Sequence, residues 1–217
     1  VPDTLAALQA AAKAHLERFP EVIRVGVTGS NGKTTTKEMI YAVLREEMRA
    51  YASPGNLNSD CGLPLAAFNM PFDTEIAVFE MGMNRVGEIE ELADICRPDL
   101  AVITNIGTAH IGILGSTDNI AAEKKKIASR FSGSEVLFVP GDDAYAPYLS
   151  EEIAGEVVRY GYRESRAEYR ETHTGTEIRM PDHVLRIPIP GRFNGANALA
   201  ALAVAQRLGV GTAAIQR

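Results

Sequence analysis

The stretch GVTGSNGKTTTKE, residues 26–38, decides how the rest of the chain is read. It nearly spells the phosphate loop G-x-x-x-x-G-K-[ST], which needs a glycine five positions before Gly32. That position is Val27, and Gly26 lies one residue too far back. What stands instead is the shorter G-x-x-G-K-T of Gly29, Gly32, Lys33 and Thr34. The run leaves VIRVGV (22–27), which reads as a buried strand, and opens KTTTKEMIYAVLREEM (33–48), which reads as a helix. A phosphate site needs that order, because a helix N-terminus offers free N–H groups and the positive end of its dipole. Gly29 and Gly32 let the backbone approach a phosphate without an intervening Cβ. Lys33 supplies charge to the outer phosphates, and the Thr34 hydroxyl suits Mg²⁺. Ser30, Asn31 and Thr35 complete the loop and the first helical turn. The competing reading is an ordinary strand–helix turn capped by Ser30 or Asn31. The buried strand before it and the three threonines after it weigh against that.

Outward from the loop, short apolar runs alternate with helical patterns. EIAVFEM (75–81), LAVITNI (100–106) and EVLFVP (135–140) read as buried strands. Helices are expected over 3–19 after an Asp3 cap, over 87–96, around 117–131, and in DDAYAPYLSEEI. This alternation predicts an α/β fold, a mostly parallel sheet with helices on both faces. From Glu156 to Pro190 the runs EVVRYGY, AEYRETH, GTEIRMP and HVLRIPIP read as a small antiparallel hairpin region. The alanine-rich NGANALAALAVAQRLG forms a closing helix ended by Gly209, and Thr212 could cap another.

At 217 residues with 46% hydrophobic and 23% charged residues, this is an ordinary globular composition. A net charge of −6 argues against coating nucleic acid. No apolar run reaches the roughly 18–20 residues of a membrane span, and no signal-peptide pattern opens the chain. Cys61 and Cys96 make no disulfide framework, so a reducing cytoplasm is expected, with Cys61 a small filler rather than a nucleophile. The chain opens on Val1 and closes inside GVGTAAIQR, and reads as a piece of a longer protein.

Further polar groups fall at the carboxyl ends of strands, where open α/β sheets bind ligands. EIAVFEM brings Glu80 there, and LAVITNI brings Thr104 and Asn105, followed by His110. An acid and a histidine on neighbouring strand ends suit a hard cation between phosphates better than a structural zinc. AAEKKKIASR (121–130) is a basic helix face from which one lysine could enter the cleft, and GNLNSDCGLPL (55–65) reads as an amide-rich loop.

Four motifs in order, TGSNGKTTTKE, SPGNLNSDCGLPL, FEMGMNRVGEIEELADICRPDLAVITNIGTAHIGILGS and GRFNGANALAALA, resemble the Mur ligases over essentially the whole chain. Within that family the likeness is nearest to the branch that adds D-alanyl-D-alanine. The family uses the short phosphate loop as its own form. The resemblance implies a linker helix (1–20) and a central ATP-binding domain (21–217), with the family's N-terminal UDP-sugar domain and C-terminal Rossmann-like domain outside this chain. It implies ATP and Mg²⁺ as cofactors, and UDP-N-acetylmuramoyl-tripeptide and D-alanyl-D-alanine as substrates in peptidoglycan synthesis. ATP would phosphorylate the peptide carboxylate, and the incoming amine would attack the acyl phosphate.

By the same resemblance the phosphates are held by residues 29–35, with Lys33 on the β/γ-phosphates. Thr34 and Glu80 would bind one Mg²⁺, His110 and Lys124 a second, with Lys124 carbamylated. Asn56 and Asn58 face the γ-phosphate and the peptide carboxylate, and Asn194 and Asn197 hold adenine. Three positions depart from the family's usual form: Phe193 replaces a histidine, Lys126 a glutamate, and PGDD (140–143) an N-x-D-D. A monomer is the simplest expectation. The isolated piece is expected to be inactive as a ligase for want of an amine site. The alternatives are folylpolyglutamate synthesis, against which SPGNLNSDCGLPL argues, and a regulatory ATPase hydrolysing nucleotide without a carboxylate substrate.

Overall fold

A computed structural model describes residues 2–211 and 215. The chain runs α1 (Thr4–Leu16), β1 (Ile23–Thr28), α2 (Lys33–Leu44), β2 (Ala50–Ala52), α3 (Gly62–Phe68) and β3 (Ile76–Glu80). Next come α4 (Glu88–Cys96), β4 (Leu100–Ile103), α5 (Ile111–Leu114), α6 (Thr117–Lys125), a 3₁₀ turn (Lys126–Ala128), β5 (Val136–Pro140) and α7 (Ala146–Ser150). It closes with β6 (Glu156–Tyr160), β7 (Glu168–Thr172), β8 (Gly175–Arg179), β9 (Val184–Ile187) and α8 (Arg192–Arg207).

Six strands form one parallel sheet in the order β2-β3-β1-β4-β5-β6. The chain moves outward from β1 to β2, returns through β3 to β1's flank, then crosses to β4. The order therefore reverses beside β1, where a crevice opens beyond the carboxyl ends. Side chains alternate between two cores. Ala77 and Phe79 of β3 face a layer with Leu16 of α1, Leu63 of α3, Leu92 of α4 and Ile120 of α6. Ile76 and Val78 face the opposite layer, with Ile40 and Leu44 of α2 and Leu199 and Leu202 of α8. Helices cover both faces, as the period-2 and period-3.6 patterns require.

Arg24 fastens α1 to this body. Only 8% exposed, its guanidinium donates to the carbonyls of Leu16 (2.7 Å), Phe19 (3.1 Å) and Cys96 (3.3 Å). Asp3 caps α1 by accepting from Ala6 N at 2.9 Å.

Four expectations need correction. EVVRYGY is not part of the antiparallel region: β6 pairs parallel with β5 as the sheet's edge, and among the described residues the antiparallel sheet consists of β7, β8 and β9. The reason is that α7 supplies a crossover, and buried Tyr160 reaches the Ile103 carbonyl at 2.9 Å. The 55–65 stretch is a loop only to Cys61, since α3 begins at Gly62 and buries Leu63 and Pro64. Cys61 is exposed rather than a filler. Some helices are shorter than their periodic patterns, α1 stopping at Leu16 rather than Phe19, α2 at Leu44 rather than Met48 and α6 at Lys125. Thr212 lies outside the described residues.

Candidate functional site

The phosphate loop sits at the reversal beside β1. Its glycines are demanded by geometry. Gly29 has φ +150°, and a Cβ there would lie 1.8 Å from Thr104 Oγ1. Gly32 has φ +79°, and a Cβ would lie 2.5 Å from Asn197 Oδ1. The loop is tied to the end of β4. Thr104 Oγ1 donates to the Asn31 carbonyl at 2.6 Å, Asn31 N to Asn105 Oδ1 at 3.1 Å, and Gly107 N to Ser30 Oγ at 2.8 Å. Ser30 is thus committed away from the helix, and Gly32 caps α2 without any side-chain hydrogen bond. The capped-turn reading fails. The N-terminus of α2 keeps its free N–H groups and positive dipole for an anion.

Lys33 Nζ lies over this loop, donating to the Gly29 carbonyl at 3.0 Å. Burial holds its ammonium below the usual range, and the Glu80 charge opposes that shift. Thr34 is exposed on the first turn, with Thr35 half-buried beside it.

Glu80 ends β3 and is 1% exposed. Its backbone N donates to Ser53 Oγ at 3.1 Å, and its Oε1 accepts from Asn58 Nδ2 at 2.6 Å. Its Oε2 is buried with no hydrogen-bond partner. A buried carboxylate oxygen left unpaired is costly and calls for a cation. Among the described residues no group of three or more His, Cys, Asp and Glu gathers into a metal cage. One carboxylate and one hydroxyl beside a phosphate loop fit Mg²⁺, which keeps several waters and takes the rest of its shell from phosphate oxygens.

His110 and Lys124 lie within electrostatic reach of Lys33 and of each other. His110 caps α5 in the left-handed region at φ +66°. Burial, then Lys124 and Lys33, lower its pKa, against a raising effect of Glu88. Lys124 is 1% exposed. Burial and then the Lys33 charge bring its pKa down to about 7, with Glu123 opposing. Its two neighbours have other tasks: Lys125 donates to the Tyr148 carbonyl at 2.9 Å, and Lys126 pairs with Glu123 at 2.9 Å. The run KKK is therefore not a solvated face, and its first lysine is the one turned inward.

A cleft of about 540 Å³ lies beside the loop, lined by Asn31, Gly32, Thr35 and Asn105 on one side and Phe193, Asn194 and Asn197 on the other. Asn197 is buried at 7% exposure, and Asn194 Nδ2 donates to the Pro190 carbonyl at 2.7 Å. Phe193 is 86% exposed at the cleft's rim. Of the amide loop, Asn58 reaches Glu80, whereas Asn56 is exposed and offers only its carbonyl, to Asn58 N at 2.8 Å. The two aspartates of PGDD brace the surrounding turns. Asp143 accepts from Ile106 N and Tyr145 N, and Asp142 from Tyr162 N.

Sequence reasoning missed Lys37 and Ser53. Lys37 is fully buried and donates to the carbonyls of Ser53 (2.7 Å) and Gly55 (2.9 Å). The available signal was its place on the buried stripe of α2 with Thr36, Ile40 and Leu44, where a lysine requires partners.

Comparison with known proteins identifies the family. Residues 27–205 match the family model of the Mur ligase middle domain. A curated relative, the UDP-N-acetylmuramoyl-tripeptide–D-alanyl-D-alanine ligase of Treponema pallidum, is 47% identical over 100% of this chain and 48% of its own length. The chain thus spans about half the length of the curated relatives it matches. The crystal structure of MurF from Acinetobacter baumannii superposes with a TM-score of 0.92 at 32% identity, covering 100% of this chain and 49% of that one. The MurF ligase of Thermotoga maritima in complex with ADP gives 0.85 at 29%, covering 100% and 52%. Short phosphate loop, six-stranded parallel sheet and matched residues together make this chain a member of the Mur ligase family, through its middle domain.

Proposed function

We propose that this chain is the ATP-binding core of a cytoplasmic ligase that adds D-alanyl-D-alanine to UDP-N-acetylmuramoyl-tripeptide during peptidoglycan synthesis. In this reading residues 1–20 form a linker helix, residues 21–217 the central domain of a monomer, and the sugar-nucleotide and amine sites belong to domains outside it. The observation that carries the reading is Glu80, whose unpaired Oε2 is buried next to Lys33 and an uncapped helix N-terminus. The names of the relatives support the substrate, and the ADP bound to the Thermotoga maritima protein supports the nucleotide.

The residues divide the work. Gly29, Ser30 and Asn31 shape the loop around the phosphates, with the Ser30 and Asn31 N–H groups tied to Asn105; Gly32 and Thr35 offer the phosphates their backbone N–H groups, and Lys33 neutralises the outer ones. Asn194 and Asn197 hold the base in the cleft, and Phe193 flanks it. Thr34 and Glu80 would hold one Mg²⁺, and His110 with Lys124 would serve a second. Bound Mg²⁺ offsets phosphate charge and aligns the γ-phosphoryl group. Lys124, whose ammonium gives up its proton at about pH 7, is suited to carry a carbamate, which turns a cation into a carboxylate-like group. Asn56 and Asn58 orient the peptide carboxylate. A carboxylate oxygen attacks the γ-phosphorus as ADP leaves; the amine nitrogen then attacks the acyl carbon, losing a proton as phosphate leaves. Such transfer depends on positioning and charge more than on a strong base.

Isothermal titration with a non-hydrolysable ATP analogue and Mg²⁺ tests the nucleotide site. Binding is expected for the unaltered chain and lost in Lys33→Ala; equal binding by both refutes the site. Amide formation is expected from the full-length parent and not from this chain alone, and product from the isolated chain would overturn that division of labour.

A further inference from the structure

We infer that Lys37 is a positioning residue that sets the cation-facing oxygen of Glu80 through the 53–58 loop. The inference rests on the reading of Glu80 as a Mg²⁺ ligand. Lys37 lies one turn beyond Lys33 on α2 and does not line the cleft. Its Nζ is fully buried and spends its donors on the Ser53 carbonyl (2.7 Å), the Gly55 carbonyl (2.9 Å) and Glu38 Oε1 (3.0 Å). Both carbonyls belong to the segment that anchors Glu80. Ser53 Oγ accepts from Glu80 N at 3.1 Å, and Asn58 Nδ2 donates to Glu80 Oε1 at 2.6 Å. Asn58 is itself seated on the strand end, its carbonyl accepting from Gly82 N at 2.7 Å.

The chain of contacts has a direction. With Oε1 occupied by Asn58, only Oε2 is free, and it is the atom without a partner. A carboxylate free to rotate would offer either oxygen and pay orientational entropy on each cation bound. Residues 54–56 are exposed; the turn is pinned at its two ends by Ser53 N on the Val78 carbonyl (2.9 Å) and by Leu57 packed on the core, and the ammonium holds the exposed span between them. Lys37 therefore couples the phosphate helix to the carboxylate: the element that holds the phosphates also fixes the group that meets their cation. Outer partners of this kind typically govern metal affinity about 10–100-fold.

The test uses the purified chain, unaltered and as Lys37→Met, Ser53→Ala, Asn58→Ala and Glu80→Gln. The first readout, amide hydrogen exchange without ligand, is expected to show faster exchange at residues 55–60 and Gly82 in Lys37→Met, with the sheet core unchanged. The second is the Mg²⁺ concentration that half-saturates binding of the non-hydrolysable ATP analogue. It is expected to rise about tenfold in Lys37→Met, while analogue binding in chelator stays unchanged. Lys37→Met combined with Asn58→Ala should cost less than the sum of the two, because both act on Glu80. Unchanged exchange in the loop, an unchanged Mg²⁺ requirement, or full additivity would each overturn the inference. If Glu80→Gln also leaves the Mg²⁺ requirement unchanged, the functional reading of Glu80 fails instead. Should Lys37→Met not fold, Ser53→Ala, which leaves the buried ammonium in place, must show the same raised Mg²⁺ requirement or the inference is lost.

Discussion

Replacing Lys124 by methionine should remove a specific pH dependence from the stability of the fold. Lys124 is buried, and its pKa falls from 10.5 to about 7 because burial and then the Lys33 charge disfavour the ammonium. An unfolded chain would bind this proton up to about pH 10.4. Between about 7 and 10.4 the unfolded state therefore holds more protons than the folded one, and stability rises with pH across that window. Below about 7 both states are protonated and the dependence vanishes. Integrating the single site from pH 6 to pH 9 gives a gain of about 3 kcal/mol. The assay is urea denaturation of the unaltered chain and Lys124→Met at pH 6, 7, 8 and 9, in carbon-dioxide-free buffer so that no carbamate forms. Lys33 and His110 also have lowered pKa values, so the quantity that matters is the difference between the two proteins. That difference should favour Lys124→Met most at pH 6 and shrink by about 3 kcal/mol at pH 9. Parallel curves would show that Lys124 is solvated or ion-paired in solution, and the argument for a neutral amine beside the phosphates would fall with it.

Gly29→Ala should destabilise the fold by about 1–3 kcal/mol through overpacking against Thr104 and abolish analogue binding; an unchanged melting temperature would refute the geometry. Phe193→Ala should weaken binding of the ATP analogue by about 1–3 kcal/mol, the usual worth of stacking on a base, and leave inorganic triphosphate unaffected; equal losses for both ligands would remove Phe193 from the base site. Arg24→Met strands the carbonyls of Leu16, Phe19 and Cys96. It should cost about 3 kcal/mol in urea denaturation and speed amide exchange in α1; an unshifted midpoint would show that packing alone holds this helix.

The order of elements was legible in the sequence because it rests on local patterns. Apolar runs of four to seven residues between amphipathic stretches leave few alternatives to a parallel α/β sheet. The phosphate loop was legible for the same reason, since glycine, lysine and threonine at fixed spacing between a strand and a helix carry their own mechanism. Glu80 and His110 could be nominated by their positions after strands, whereas Lys124 was singled out of its run by the family resemblance alone. Pairing direction was not legible. Alternation in EVVRYGY is equally compatible with either neighbour, and the crossover through α7 decided for the parallel edge. Nor could the sequence distinguish three consecutive lysines, which the pitch of α6 and the turn after it send to the site, to Tyr148 and to Glu123. Lys37 and Ser53 sit 16 residues apart and meet only when β2 lies beside β3. Local chemistry thus determined which residues could bind a nucleotide. Only tertiary packing, by burying Glu80 with one oxygen free and Lys124 beside Lys33, decided which candidate groups stand without a partner and so carry the proposed site.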